Sequence, residues 1–312
     1  MSETITAETV TAVTTTATCT TYADVTEIRA HDPGAIDRAW ASRVTRETVR
    51  GDGRLMIVAA DHPARGALSV GSNPTAMNSR TELLDRLRTA LADPGVDGVL
   101  ATSEILDDLV LLGALDDKVV ISSMNRGGLA GASFELDDRM TGATAASTAK
   151  ARMNGAKMLT RIDLDDPGTL GTLTACAQAI DELAAEGLMA MVEPFLSSRR
   201  DGKVVNDLRA DAVIKSIHIA QGLGASSAYT WMKLPVVDEM ERVMDATTLP
   251  TLLLGGDPQT APDETFASWA RALKIPAVRG LIVGRTLLYP KDGDVATAVA
   301  TAVDMVRGGA DE

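Results

Sequence analysis

Histidine, cysteine and aromatic side chains are scarce in this 312-residue chain, which has three His, two Cys and three each of Phe, Trp and Tyr. His31 precedes the main domain and His218 falls in a helical stretch, so a catalytic zinc site built on several imidazoles is excluded and neither a metal nor any other cofactor is expected. Cys19 and Cys176 stand too far apart to form a disulfide framework, which makes a reducing cytoplasm the expected compartment. Positive charge is short as well. With 30 Lys and Arg against 43 Asp and Glu, a formal charge of −13 leaves no basic stripe for phosphodiesters or anionic lipid, so neither nucleic acid nor membrane is an expected partner. No run of 18 apolar residues occurs, and the first 22 residues lack the basic and apolar regions of a secretory signal. No Walker loop, GxSxG elbow or cysteine cluster is present, which removes nucleotide hydrolysis, serine-hydrolase and iron–sulfur chemistry.

What is present is order of another kind. Residues 1–33 read as a Thr- and Ala-rich extension, partly flexible, and removal of residues 1–25 is expected to leave chemistry and stability nearly unchanged. Asp32 as N-cap and Pro33 at the first helical position predict a leading helix over 34–50, with Ile36, Trp40, Val44 and Thr48 as its apolar stripe. Thereafter eight short apolar runs alternate with helical patterns: Leu55–Ala60, Gly98–Thr102, Val119–Met124, Ala156–Ile162, Leu188–Val192, Ala228–Met232, Pro250–Leu254 and Val278–Val283. Eight β/α units over about 255 residues fit an α/β fold, a single-domain (β/α)8 TIM barrel spanning 34–312. An open doubly wound sheet would need a Gly-rich phosphate loop after the first strand, where this chain has Ala-Ala-Asp-His-Pro.

In such a barrel the chemistry sits at the C-terminal ends of the strands. Those ends carry Asp61 and His62, Ser103 and Glu104, Asn125 and Arg126, Arg161 and Asp163, Glu193, Lys233, Gly255 with Gly256, and Gly284 with Arg285. The sixth run places Tyr229, Trp231 and Lys233 on one face by the period-2 rule. A lysine behind two aromatics loses hydration, which disfavours ammonium and frees an amine to attack a carbonyl. Asp61 and Glu193 are candidate proton carriers, while Arg161 and Asp163 are candidates for either a catalytic role or a structural ion pair. The glycines of the last two strand ends let backbone N–H groups approach an anion, and Arg285 adds a charge-assisted partner, so a phosphate is expected there. His62 is expected to hydrogen-bond rather than to ligate a metal.

The segments LMIVAADHPARGAL, MKLPVV, LLLGGDP and RGLIVGRTLL together resemble the class I aldolase superfamily of deoxyribose-phosphate, tagatose-bisphosphate and archaeal-type fructose-bisphosphate aldolases, through most of residues 54–307. The resemblance implies a Schiff base on Lys233, with Asp61 and Glu193 as the family's acids and Gly255, Gly256, Gly284 and Arg285 at the phosphate. The family's strand-four lysine has no clean counterpart, because Lys157 begins its strand too early and Arg161 takes the later position. The sequences ARGALSVG and SSMNRGGLAGASFELDDRMTG resemble an actinobacterial aldolase-like group linked with inositol catabolism. That resemblance implies cleavage of a phosphorylated ketose or deoxy-keto sugar acid, such as 6-phospho-5-dehydro-2-deoxygluconate, to dihydroxyacetone phosphate and malonate semialdehyde. Deoxyribose-phosphate-type cleavage, sugar-phosphate isomerisation or epimerisation, and a catalytically silent sugar-phosphate-binding barrel are the alternatives. A homo-oligomer is expected.

Overall fold

The computed structural model describes residue 19, residues 21–256 and residues 262–308. Among the described residues there are nine strands: β1 (Leu55–Ala60), β2 (Gly98–Ala101), β3 (Val119–Ser123), β4 (Gly155–Ile162), β5 (Met189–Arg200), β6 (Lys203–Asn206), β7 (Thr230–Pro235), β8 (Thr251–Leu254) and β9 (Val278–Val283). Eight of them pair in parallel around a closed ring, β1-β2-β3-β4-β5-β7-β8-β9 and back to β1. The predicted (β/α)8 barrel is therefore the fold, and β6 stands outside the ring as the return arm of a hairpin on β5.

Alternation along the strands sorts their side chains into two cores. Leu55, Ile57, Leu100, Val119, Ile121, Met189, Met191, Leu252 and Ile282 fill the barrel interior, with Trp231 packed against them. Met56, Val58, Val99, Val120, Met158 and Leu253 face outward into the layer of helices. Gly98 and Gly280 stand where a β-carbon would collide with Val119 or Leu55 backbone at 1.9 Å, so these strand pairs close only with glycine there. Among the described residues no helix is long and apolar enough to cross a membrane.

The N-terminal region departs from expectation. A helix α1 (Tyr22–His31) forms inside the segment read as extension. Thr21 and Asp24 close a capping box at its start, and Cys19 and Val25 are buried. Asp32 caps the C-terminus of α1 rather than starting the next helix, and Pro33 is the N-cap of α2 (Gly34–Ser42). That helix is half the predicted length. Trp40 lies buried against the helix Ser103–Leu111, donating from Nε1 to Asp107 at 2.8 Å, while Val44 lies beyond the helix and 57% exposed. The helix stops because the following residues serve the barrel floor in extended form: Arg43 donates to the Leu115, Lys118 and Arg152 carbonyls, and Asn154 donates to the Arg46 carbonyl.

Asp97, just before β2, gathers this floor together. Its carboxylate accepts from the Met56 N–H at 2.7 Å, pairs with Arg46 at 3.2 Å and with Arg307 of the last helix, Val295–Gly308, at 2.5 Å.

Candidate active site

The C-terminal mouth of the barrel opens into a cavity of about 1110 Å³. Its floor is a ladder of alternating charges contributed by four strands and one loop. Lys233 Nζ, on β7, lies 3.1 Å from Glu193 Oε1 on β5. The other oxygen of Glu193 is 2.8 Å from Lys157 Nζ, on β4. Lys157 in turn lies 2.7 Å from Asp61 Oδ2 at the end of β1, and that oxygen also accepts from Arg126. All five side chains are buried. Burial alone would raise both acids, but Lys157 and Lys233 pull the Glu193 carboxyl down to about 2, and Lys157 and Arg126 hold Asp61 well below the usual carboxylate range. Burial draws the Lys157 ammonium below an ordinary lysine, against the opposing pull of Asp61 and Glu193.

This ladder corrects the reading of the fourth strand. β4 starts at Gly155, so Lys157, Leu159 and Arg161 share its inward face, and Lys157 lies level with Met191 and Trp231 in the adjoining strands. Lys157 therefore reaches the ladder from β4, deep in the barrel. Arg161, four residues further on, has left the ladder: it pairs with Glu135 and donates to the Gly128 and Glu135 carbonyls, pinning the long loop after β3 over the mouth. Arg161 does not pair with Asp163, which lies outside the cavity and accepts from the Asp165 N–H while its backbone bonds Thr169. Asn125 is fully buried and used up by β4, donating to the Leu159 carbonyl and accepting from the Leu159 N–H.

On the sixth barrel strand, Trp231 sits one layer beneath Lys233 and packs on the interior core, whereas Tyr229 precedes β7 and is 43% exposed. One aromatic, not two, therefore backs Lys233. Gly255, Gly256, Gly284 and Arg285 line the cavity on the opposite side from Arg161. Two of these glycines are fixed by packing: a β-carbon at Gly284 would meet the Ala59 carbonyl at 2.3 Å, and one at Gly255 would meet Val283 at 2.6 Å. Gly256 has φ +68°. The loop that follows, 257–261, lies outside the described residues. His62 lines the cavity beside Asp61.

Sequence reasoning placed Arg126 at the end of the third strand but gave it no role, although it is the terminal cation of the ladder, and it passed over the pair Arg65 and Glu135, which lie 3.5 Å apart in the cavity wall. The period-2 rule applied from Gly155 finds Lys157. No pattern in the sequence marks Glu135, which reaches the mouth from an irregular loop. Among the described residues no group of three His, Cys, Asp or Glu side chains is arranged to hold a metal ion.

A family model described as Cgl0159-like matches residues 53–303. No curated protein matches the chain. The crystal structure of Cgl0159 from Corynebacterium glutamicum, a structural genomics target, is similar at 58% identity with a TM-score of 0.90, covering 92% of this chain and 97% of that one. An archaeal fructose 1,6-bisphosphate aldolase is similar at 17% identity, TM-score 0.64, over 88% of this chain and 99% of that one. A second archaeal fructose-1,6-bisphosphate aldolase structure, with its catalytic Lys covalently bound to the carbinolamine intermediate, has 17% identity and a TM-score of 0.62 over 87% and 99%. At 17% identity the likeness is one of fold.

Proposed function

The chain belongs to the Cgl0159-like family, and we propose that it is a metal-independent class I aldolase that forms a Schiff base on Lys233. The observation that carries this reading is the ladder Lys233–Glu193–Lys157–Asp61–Arg126. With every member ionised it holds three cations and two anions. Removing a proton from either lysine leaves two of each, but only at Lys157 would it set a neutral amine between two carboxylates. Lys233, with a single carboxylate partner at the end of the ladder, is therefore the nucleophile, and Lys157 stays an ammonium that positions Glu193.

Attack of the Lys233 amine on a substrate carbonyl gives a carbinolamine, and return of the proton that Lys233 gave up to the carbinolamine hydroxyl expels water and leaves a protonated imine. Glu193, 3.1 Å from Lys233 Nζ, takes the proton from the substrate hydroxyl whose carbon becomes the new carbonyl. As the carbon–carbon bond breaks, its electron pair neutralises the iminium to an enamine. The cation beside Glu193 thus vanishes just as Glu193 must hold a proton, which offsets the low proton affinity of its resting state. Asp61 is a poor base here, since one of its oxygens is held by two cations.

The substrate we assign is a phosphorylated ketose or keto sugar acid. Gly255, Gly256, Gly284 and Arg285 line one side of the cavity and suit its phosphate, which supplies binding energy remote from the reacting carbon. Across the cavity, burial and then the neighbouring Arg161 push the Arg65 guanidinium down to about 10, a cation-rich wall that an acidic substrate end relieves. This favours a phosphorylated deoxy-keto sugar acid over a neutral-ended sugar. Borohydride trapping with substrate, followed by peptide mass mapping, tests the chemistry: the fragment mass is expected on Lys233. Label on Lys157 instead, or none alongside isomerase turnover, removes the reading. Release of dihydroxyacetone phosphate across phosphorylated sugars and sugar acids tests the substrate class.

A further inference from the structure

His62 is the mouth residue that the chemistry above leaves without a task. Its side chain is 25% exposed and lines the cavity, yet Nδ1 is buried and makes no hydrogen bond. That nitrogen faces Asp61 Oδ1 at 3.7 Å, whereas Lys157 and Arg126 both engage Oδ2. On its other side the ring abuts the β9 turn, where a β-carbon added to Gly284 would come within 3.5 Å of Cε1. The imidazole therefore stands between the charge ladder and the Gly284–Arg285 turn. With Nδ1 buried, the edge open to the cavity is the one that carries Nε2.

We propose that His62 binds substrate: an Nδ1–H directed at Asp61 Oδ1 fixes the tautomer, and the unprotonated Nε2 accepts a hydrogen bond from the substrate hydroxyl next to the carbonyl that Lys233 attacks. The proposal rests on the aldolase reading and names what selects its substrate. Burial, with Arg285 and Lys233 adding to it and Asp61 and Glu193 opposing it, pushes the imidazole down to about 3, so the ring keeps a lone pair for this bond throughout the neutral range. A buried acceptor placed for a hydroxyl discriminates against a ligand that lacks one, because the acceptor is then left unpaired.

The test compares two phosphates on the full-length protein. Dihydroxyacetone phosphate carries the hydroxyl beside its carbonyl, and hydroxyacetone phosphate lacks it. Imine formed with each is trapped by borohydride and quantified on the Lys233 peptide as concentration is varied. Wild type is expected to reach half-maximal trapping at a concentration at least tenfold lower for dihydroxyacetone phosphate. His62→Ala should erase that preference by weakening dihydroxyacetone phosphate alone, and His62→Gln, whose amide oxygen also accepts, should restore part of it. Equal trapping of the two phosphates by wild type, which needs no variant to fold, overturns the proposal. So does an equal loss on both in His62→Ala. Trapping of neither phosphate by the wild-type protein is a different result: it removes the aldolase reading and His62's task with it.

Discussion

At the scale of single residues, the ladder makes its two lysines energetically unlike although both are buried. Lys157→Met leaves Asp61 and Glu193 facing each other with no cation between them, and is expected to cost ~3–5 kcal/mol as a broken buried pair. Lys233→Met leaves Arg126, Asp61, Lys157 and Glu193 in balance, and is expected to change stability by less than about 1 kcal/mol while abolishing turnover. Urea unfolding at pH 7 measures both, and equal losses would contradict the charge accounting. Acid separates other contributions. Glu193 titrates at about 2 in the folded chain against 4.5 for a free carboxyl, so its stabilisation is present above pH 4.5 and is lost as pH falls towards 2. His62 titrates at about 3 against 6.5, so the unfolded chain takes up that proton first and stability begins to fall already below pH 6.5. His62→Gln should therefore flatten the stability curve between pH 6.5 and 4.5, by at most ~1.4 kcal/mol per pH unit, and leave the steeper loss below it. Midpoints of urea unfolding across that range provide the check. A curve unchanged by the substitution would mean that the imidazole is not held neutral. Sequence reasoning found Lys233, Glu193 and Asp61 at the mouth but set Lys157 aside, for a physical reason. Position along a strand does not give depth in a barrel, which the stagger between neighbouring strands decides. Arg161 is four residues, or ~13 Å of extended chain, beyond Lys157, enough to carry it out of the ladder and into the covering loop.

Among the elements, the eight barrel strands were legible because each is a short apolar run bounded by turns, and their observed bounds differ by no more than one residue except at β5 and β7. β5 runs on to Arg200 because its second half leaves the barrel and pairs with β6, with Arg199 bonded to the Ser133 carbonyl and Asp166; the polar run SSRR carries no apolar signal of a strand. The leading helix was overextended because Trp40 and Val44 share helical spacing, while the arginine and asparagine bonds to the barrel floor that end the helix lie more than 70 residues away in sequence. These corrections change what truncation should do. Deleting residues 1–25 removes the Thr21–Asp24 capping box and the buried Cys19 and Val25, so a lowered melting temperature is expected, in contrast to the neutral outcome inferred from composition. Trp40→Ala should cost ~3–5 kcal/mol through lost burial. Trp40→Phe keeps most of the apolar area but leaves Asp107 without its indole donor, and should cost about 1–3 kcal/mol. A Phe variant as stable as wild type would show that the Trp40–Asp107 bond adds nothing.

For the whole molecule, the formal charge of −13 and the cations along the mouth act at different ranges. The surface repels an anionic substrate at distance, and the cavity attracts it on arrival, so screening weakens the repulsion first. The rate of imine formation with a phosphorylated ligand is expected to hold steady or rise as salt increases from about 10 to 100 mM, where a basic-surfaced enzyme would slow. A steep fall would place the dominant field at the mouth.

The junction at Asp97 has a consequence for how the chain is made. Its carboxylate waits for Arg307, 210 residues further along the chain, and β1 waits for β9, so the two partners that close the ring leave the ribosome long after the residues that need them. Until then the nascent chain carries an open strand edge and an acid on the barrel floor without its guanidinium, and a product cut short by premature termination keeps both. Such an edge is what chaperones cover and proteases find, so the fold exposes its own unfinished copies to disposal.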